Sequence, residues 1–235
     1  MTLVDISDLT ERHDVELGPP ASHLAEDAKL HSGVRLPEAH IDLLARANGL
    51  SIYSGYFRLF GFHTDPERDL EVWNDANLWK YAWQGRVDDF LCFGTTAWGD
   101  QYAYHLPSLA EKGHSAVFLL DAYSMDADPL ADSFPEFWQI EFLPNVTAPY
   151  DHMVEKCRKA FGSSGWNELL TYSPHLLLGG TEDVANIVRM SPRVVMRMNA
   201  EIALQLERLP DETEIIGVTT HMNDKGEPEI QLITR

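Results

Sequence analysis

The sequence predicts an α+β fold: a mainly antiparallel central sheet with helices packed against it, and a C-terminal extension made of a helix and a β-hairpin. Segments with helical spacing of apolar residues mix with segments rich in aromatic and β-branched residues, without the regular strand–helix alternation of a doubly wound sheet. The chain has 235 residues, of which 44% are hydrophobic, which is enough for one large domain with a proper core.

The N-terminal part is predicted to be helical after an acidic leader. Residues 1–20 form this leader, which ends in a Gly-Pro-Pro sequence. A short helix capped by Ser22 follows. A second helix is predicted to start at Pro37, which suits a first helical position, and to stop at Asn48-Gly49.

The middle of the chain predicts both strands and helix. Residues 51–61 predict one or two short strands, and 65–83 predict a helix that carries three tryptophans. Residues 88–106 predict a strand pair and 115–123 a further strand. The acid-only stretch 121–136 is predicted to be a solvated loop.

The C-terminal part is separable by composition. We interpret residues 21–162 as the core and 163–235 as an extension packed on that core. A helix capped by Asn199 and ended by Pro210 precedes two alternating strands. Gly226 lies in the turn that joins these strands into a hairpin.

Charge excludes several classes of partner. The chain has 37 acidic and 18 basic residues, for a net charge of −19. Such a surface repels nucleic acid phosphates and anionic membranes, and attracts basic proteins. The apolar runs are far shorter than the ~20 residues of a membrane-spanning helix, and the N-terminus lacks a signal-peptide pattern. We therefore expect a cytoplasmic protein without nucleic acid or membrane partners, although solubility alone also explains an acidic surface.

No motif predicts catalysis, a cofactor or a metal. The sequence lacks the HxH, HExxH and CxxC spacings of metal sites and the GxSxG, P-loop and GxGxxG motifs. Cys92 and Cys157 are expected to be thiols rather than a disulfide. Carboxylate pairs such as Asp88-Asp89 are expected on a solvated face. The residues thus favour a binding protein, with no catalytic, cofactor-binding or metal-binding residues.

Two segments carry a family resemblance. "LPEAHIDLLARANGL" (36–50) has a Leu-Pro entry, a helix and an Asn-Gly stop, and "FLCFGTTAWGDQYAYHL" (90–106) has an apolar strand, a Gly-Asp turn and an aromatic strand. This order resembles the SUKH superfamily of fungal cell-wall regulators and bacterial immunity proteins; a GAD-like or Tdi-type immunity family with a similar layout is the alternative. The residues that carry the resemblance are Leu36, Pro37, Asn48, Gly49, Phe93, Gly94, Trp98, Gly99, Asp100 and Tyr102.

The resemblance implies an immunity protein that binds and neutralises a cognate basic toxin, for example a nuclease or a deaminase. A small-molecule hydrolase or transferase with a carboxylate pair and a regulatory adaptor are the alternatives, and the oligomeric state is left open. We expect the partner to bind two acidic groups. Core packing is the default expectation for the tryptophans near the first group, and an exposed Trp73 is the alternative, in which it would add a binding anchor. The groups are Glu67, Asp69, Glu71, Trp73 and Asp75, and Asp121, Asp126, Asp128, Asp132 and Glu136.

The hairpin around Trp98 is predicted to serve the fold rather than binding. Gly99 is expected to supply a positive φ, and Asp100 to occupy the remaining strained position of the turn.

Overall fold

The main sheet has seven antiparallel strands that follow one another in space as they do in sequence. The computed structural model describes residues 6–21, 29–30, 33–223 and 228–235. The strands are β1 (Glu16–Leu17), β2 (Leu50–Ile52), β3 (Phe57–Leu59), β4 (Phe90–Thr95), β5 (Gln101–His105), β6 (Val117–Leu120) and β7 (Ala127–Ala131). The predicted α+β class with a central antiparallel sheet is confirmed.

Helices and two small sheets complete the described part. The helices are α1 (Glu38–Arg46), α2 (Leu70–Trp73), α3 (Leu106–Lys112), α4 (Phe134–Phe137), α5 (His152–Phe161) and α6 (Pro192–Leu206). The small antiparallel sheets pair β8 (Leu169–Tyr172) with β9 (Ile187–Met190), and β10 (Ile215–Met222) with β11 (Pro228–Thr234). None of the helices in the described ranges is long and apolar enough to cross a membrane.

Both faces of the central strand β5 are buried. On one face, the Tyr102 ring packs edge-on against Phe137 of α4, with 4.8 Å between ring centroids. On the other face, the side-chain carbonyl of Gln101 accepts a 2.7 Å hydrogen bond from the Trp73 indole N–H. The two alternating faces that period 2 assigns to this strand are therefore both internal.

The predicted helix over 65–83 is wrong beyond the four residues of α2. The helix stops at Trp73 because the Asn74 side chain turns to the sheet and bonds both the N–H and the C=O of Cys92 on β4, at 2.8 and 2.7 Å. A short 3₁₀ turn, Lys80–Trp83, follows. The tryptophans are therefore buried from separate short turns, and their helical spacing does not come from one continuous helix.

The stretch 121–136 is not the solvated loop that its acidity predicts. It contains β7, which is the edge strand of the main sheet, and the start of α4, capped by Ser133. Asp128 and Pro129 are exposed on this edge strand. A charge and a proline on an edge strand oppose pairing with a further strand, so these residues have a structural role.

The last helix begins before its predicted start. Ser191 caps α6 through the N–H of Val194, and Pro192 occupies the first helical position, where its missing N–H costs no hydrogen bond. The prediction that Asn199 caps this helix is wrong. Asn199 is buried inside α6 and donates a 2.8 Å hydrogen bond to the carbonyl of Ala122.

One buried arginine ties the extension to the sheet. Arg58 on β3 is 2% exposed, and its guanidinium donates 2.7 Å hydrogen bonds to the Glu168 carbonyl and to Ser164 Oγ. A single hydrophobic cluster extends from Ile6 to Ala203. The leader contributes β1 to this body. The predicted helix capped by Ser22 and the predicted Gly226 turn lie outside the described residues.

Candidate functional site

A pocket of about 330 Å³ opens beside the turn between β4 and β5. Its walls come from this turn, from the β6–β7 connection, from the start of α5 and from the C-terminal extension. We call it the acidic–aromatic pocket and define it by Trp98, Asp100, Tyr123, Asp151, Tyr172 and Glu182.

The aromatic wall is a stacked pair of rings. The half-buried Trp98 and the buried Tyr172 lie parallel, with 4.9 Å between ring centroids and 5° between planes. The Trp98 indole N–H donates a 2.6 Å hydrogen bond to Asp151 Oδ2. Asp151 in turn caps α5 by accepting from the N–H of Met153 at 2.7 Å. The orientation of the indole is therefore fixed from two sides.

Asp100 ties two turns together. Its carboxylate accepts from Thr96 Oγ1 at 2.6 Å within its own turn and from the N–H of Ala122 at 2.9 Å in the next one. The prediction that Asp100 takes a strained backbone position is wrong, since only Gly99 has a positive φ in this turn, +99°. Burial raises the pKa of the Asp100 carboxyl, and the nearby charges of Asp121 and Asp151 raise it further.

The pocket concentrates carboxylates, and its described lining contains one basic residue, His152, but no lysine or arginine. Across the described ranges, the structure records no ion pair of Asp100, Asp151 or Glu182 with a lysine or an arginine. Burial raises the pKa of Tyr172 to about 12, with further contributions from Glu182 and Asp151, so its phenol stays neutral. Three carboxylates thus face neutral aromatic rings.

This arrangement suits a positively charged group. An ammonium or guanidinium bonds carboxylates strongly and is attracted to the faces of aromatic rings. Within the part of the chain that is described, no group of three or more His, Cys, Asp or Glu is placed to hold a metal ion. Cys92 and Cys157 are buried free thiols, and burial raises the pKa of each to about 11.

One predicted acidic group borders the pocket. Asp121, Asp126, Asp128, Asp132 and Glu136 are all exposed. Of these, Asp121 adjoins the pocket, where its charge raises the pKa of Asp100. The others follow the edge strand β7 and the start of α4.

The other predicted group is partly inaccessible. Trp73 is 7% exposed and stacks on Phe60 at 4.9 Å, so its predicted role as an exposed anchor is wrong. Asp69 is also buried, because its carboxylate caps α2 through the N–H groups of Glu71 and Val72. Glu71 is half-buried; the exposed acids of this group are Glu67 and Asp75.

The residues of the family resemblance mainly build the fold. The Asn48 amide bonds the N–H and the C=O of Phe62 at 2.8 and 2.9 Å, and Gly49 has a φ of +84°. Phe93 stacks on Tyr104 at 4.3 Å. Leu36 and Tyr102 are buried, Pro37 precedes α1, and Gly94 lies where β3 approaches β4. Trp98 and Asp100 differ from these because they also line the pocket.

Four pocket residues were missed by sequence reasoning: Tyr123, Asp151, Tyr172 and Glu182. Each lies on a different segment, and no spacing in the sequence connects them. Asp151 immediately precedes α5 and is a typical helix-capping residue, but a capping residue indicates the end of a helix rather than a site.

Comparisons with known proteins do not assign a family. No family model and no curated protein matches the chain. Among solved structures, the crystal structure of Atu4351 from Agrobacterium tumefaciens is similar, with a TM-score of 0.46 and 14% sequence identity over 82% of this chain and 83% of that chain.

Proposed function

We propose that this chain is a cytoplasmic immunity protein of SUKH type, which binds and neutralises a basic protein toxin. In this proposal the acidic–aromatic pocket receives a lysine or arginine side chain of the toxin. The observation that carries the proposal is the convergence of Asp100, Asp151 and Glu182 on the stacked Trp98–Tyr172 pair, with no lysine or arginine in the described lining.

Desolvation makes such a pocket effective. The raised pKa of Asp100 reports a carboxylate that has lost much of its water. A guanidinium restores that lost interaction and can lie against the aromatic rings at the same time. Residues of this kind, recessed and ringed by weaker contacts, dominate binding energy in protein interfaces.

The exposed acids beside the pocket support the same partner. The row from Asp121 to Glu136 and the net charge of −19 favour fast encounter with a basic protein and disfavour nucleic acid. A hydrolase with a carboxylate pair has less support, because Asp100 and Asp151 are each held by two hydrogen bonds to the chain and face no nucleophile.

A matched pair of small probes tests the pocket. We expect N-acetyl-arginine amide to shift the NMR signals of the Trp98 indole N–H and the Gly99 amide in a saturable way. The isosteric N-acetyl-citrulline amide, which has no charge, should not do so. Glu182→Gln should weaken binding of the arginine probe. Glu212→Gln, which changes an exposed acid elsewhere, should leave that binding unchanged. Equal shifts from both probes, or none, would contradict the proposal.

The toxin is tested separately. The product of a gene adjacent to that of this protein is the partner to purify and mix with it. Stable binding and loss of the partner's toxicity are expected, and both should weaken with Asp100→Asn. An adjacent product that is neither bound nor inhibited would refute the immunity role even if the pocket binds arginine.

A further inference from the structure

A second cavity, within the C-terminal extension, differs chemically from the first. It has a volume of about 520 Å³ and lies between the β8–β9 sheet, α6 and the β10–β11 hairpin. We call it the apolar cleft. The residues used below are Thr171, Val188, Met198, Ile202, Val218 and Ile230.

The lining of the apolar cleft carries no charge. Its walls are formed mainly by Val, Ile, Leu and Met side chains, and the described residues that line it include no Asp, Glu, Lys or Arg. Its one titratable imidazole is His175, whose pKa is lowered by burial, so that it is neutral at physiological pH. In a chain with 37 acidic residues, such a surface complements an uncharged molecule.

One hydroxyl in the cleft lacks a partner. Thr171 on β8 is 2% exposed, and its Oγ1 makes no hydrogen bond with any of the described residues. It pairs across the small sheet with Val188, which also lines the cleft, so both side chains lie on the same face. A buried hydroxyl without a partner is unfavourable, and a ligand with a hydrogen-bonding group would relieve this cost.

The cleft is held open by its far wall. Glu201 and Gln205 of α6 bond the backbone of β11: Ile230 N–H to Glu201 at 2.8 Å, Gln205 to the Ile230 carbonyl at 2.8 Å, and Leu232 N–H to Gln205 at 3.0 Å. The hairpin is thus fixed to the helix along β11, away from the β8–β9 face. Val188 and Val218 at the mouth are 39% and 52% exposed, which gives an apolar entrance.

We propose that the apolar cleft binds an uncharged, mainly apolar small molecule that hydrogen-bonds Thr171 through a single polar group. A medium-chain alcohol is an example of this class. The volume lies in the range of about 300–1,000 Å³ that small-molecule sites occupy, and such sites combine apolar walls with few polar groups. A basic protein segment does not fit, because the lining offers no carboxylate.

The test uses N-phenyl-1-naphthylamine, a neutral fluorescent probe. We expect one saturable site per chain, from which 1-decanol displaces the probe at least about tenfold better than decanoate, because the carboxylate would have to lose its water in an uncharged cleft. Thr171→Val keeps the side-chain shape and removes the hydroxyl. This substitution should lower the affinity for 1-decanol about 2- to 10-fold, which is the effect of losing one hydrogen bond.

Blocking variants provide the controls. Val188→Trp and Val218→Trp should each abolish probe binding while the protein melts like the parent. Val72→Trp changes a residue of the same type and a similar exposure, 40%, outside the cleft, and should leave binding intact. Non-saturable binding, equal displacement by decanoate, or an unchanged affinity in Thr171→Val would overturn the proposal. One further result would overturn the proposal: the parent binds no probe but self-associates, and Val188→Trp abolishes this self-association. The cleft would then be the contact with a second copy of the chain.

Discussion

The rings of Trp98 and Tyr172 stack in parallel and join the turn of the central hairpin to a strand of the C-terminal extension. A nearby backbone hydrogen bond of 2.8 Å, from Leu170 N–H to the Ala97 carbonyl, reinforces the same junction. The acidic–aromatic pocket is built on this junction, so its shape depends on the docking of the extension as well as on the hairpin.

The stability of the protein should depend on pH through Asp100. Its pKa is raised in the folded state, so the folded chain holds this proton more tightly than the unfolded chain, and its contribution to the free energy of unfolding falls as pH rises through the folded pKa. Asp100→Asn should therefore be at least as stable as the parent at pH 7 and lose less stability between about pH 4 and pH 7. Urea unfolding at both pH values measures this, and a variant that is much less stable at pH 7 would contradict it.

Truncating Tyr102 and Trp98 should distinguish an aromatic residue that serves the fold from one that serves binding, because the two variants should differ in the free energy of unfolding. Tyr102 is fully buried against Phe137 and Phe142, so Tyr102→Ala should lower the free energy of unfolding by about 3–5 kcal/mol. Trp98 is half-buried, so Trp98→Ala should cost less. Denaturant unfolding gives both values. If Trp98→Ala proves the more costly of the two, Trp98 serves mainly the fold, as the sequence alone predicts.

Association with a basic partner should depend on salt and on the exposed acids beside the pocket. The combined variant Asp121→Asn, Asp126→Asn and Asp128→Asn should lower the association rate, and the difference from the parent should shrink at high salt as charges are screened. Asp75→Asn, at an exposed position just after α2, is the control. Stopped-flow measurements at two salt concentrations suffice; a rate insensitive to both changes would leave the acidity as a solubilising surface.

The sequence of the edge strand β7 should itself oppose pairing with a strand of another chain. Replacing both Asp128 and Pro129 with valine removes a charge and restores a backbone N–H on an exposed edge, so the variant should self-associate. Sedimentation velocity compares it with the parent and with Asp75→Val, which adds the same apolar group away from the edge. A monomeric double variant would mean that other features protect this edge.

The features that sequence predicts here are those with local causes. The Gly99 turn and the strands on either side of it each follow from residues close to one another in the chain. The start of α6 is harder to predict, since Ser191-Pro192 looks like a break in a helical pattern, although a serine cap followed by proline is also a helix start. The same two residues support either interpretation until packing decides between them.

The pocket could not be predicted in the same way, because the residues that form it are far apart in the chain. Tyr123, Asp151 and Tyr172 reach it from separate segments, and their approach to Asp100 is set by the stacking of Trp98 and by the buried contacts of α6. The contacts that bury Trp73 likewise come from distant parts of the chain, because Phe60 lies just after β3 and Gln101 lies on β5.

The strand order of the main sheet has a consequence for biosynthesis. Because each strand of the sheet pairs with its neighbours in sequence, β1 to β7 can assemble progressively as the chain leaves the ribosome. Asp151, Tyr172 and Glu182 emerge only after this sheet is complete. A nascent chain can therefore possess the whole sheet and still lack half of the residues that define the pocket, so the pocket is complete only after residue 182 has emerged.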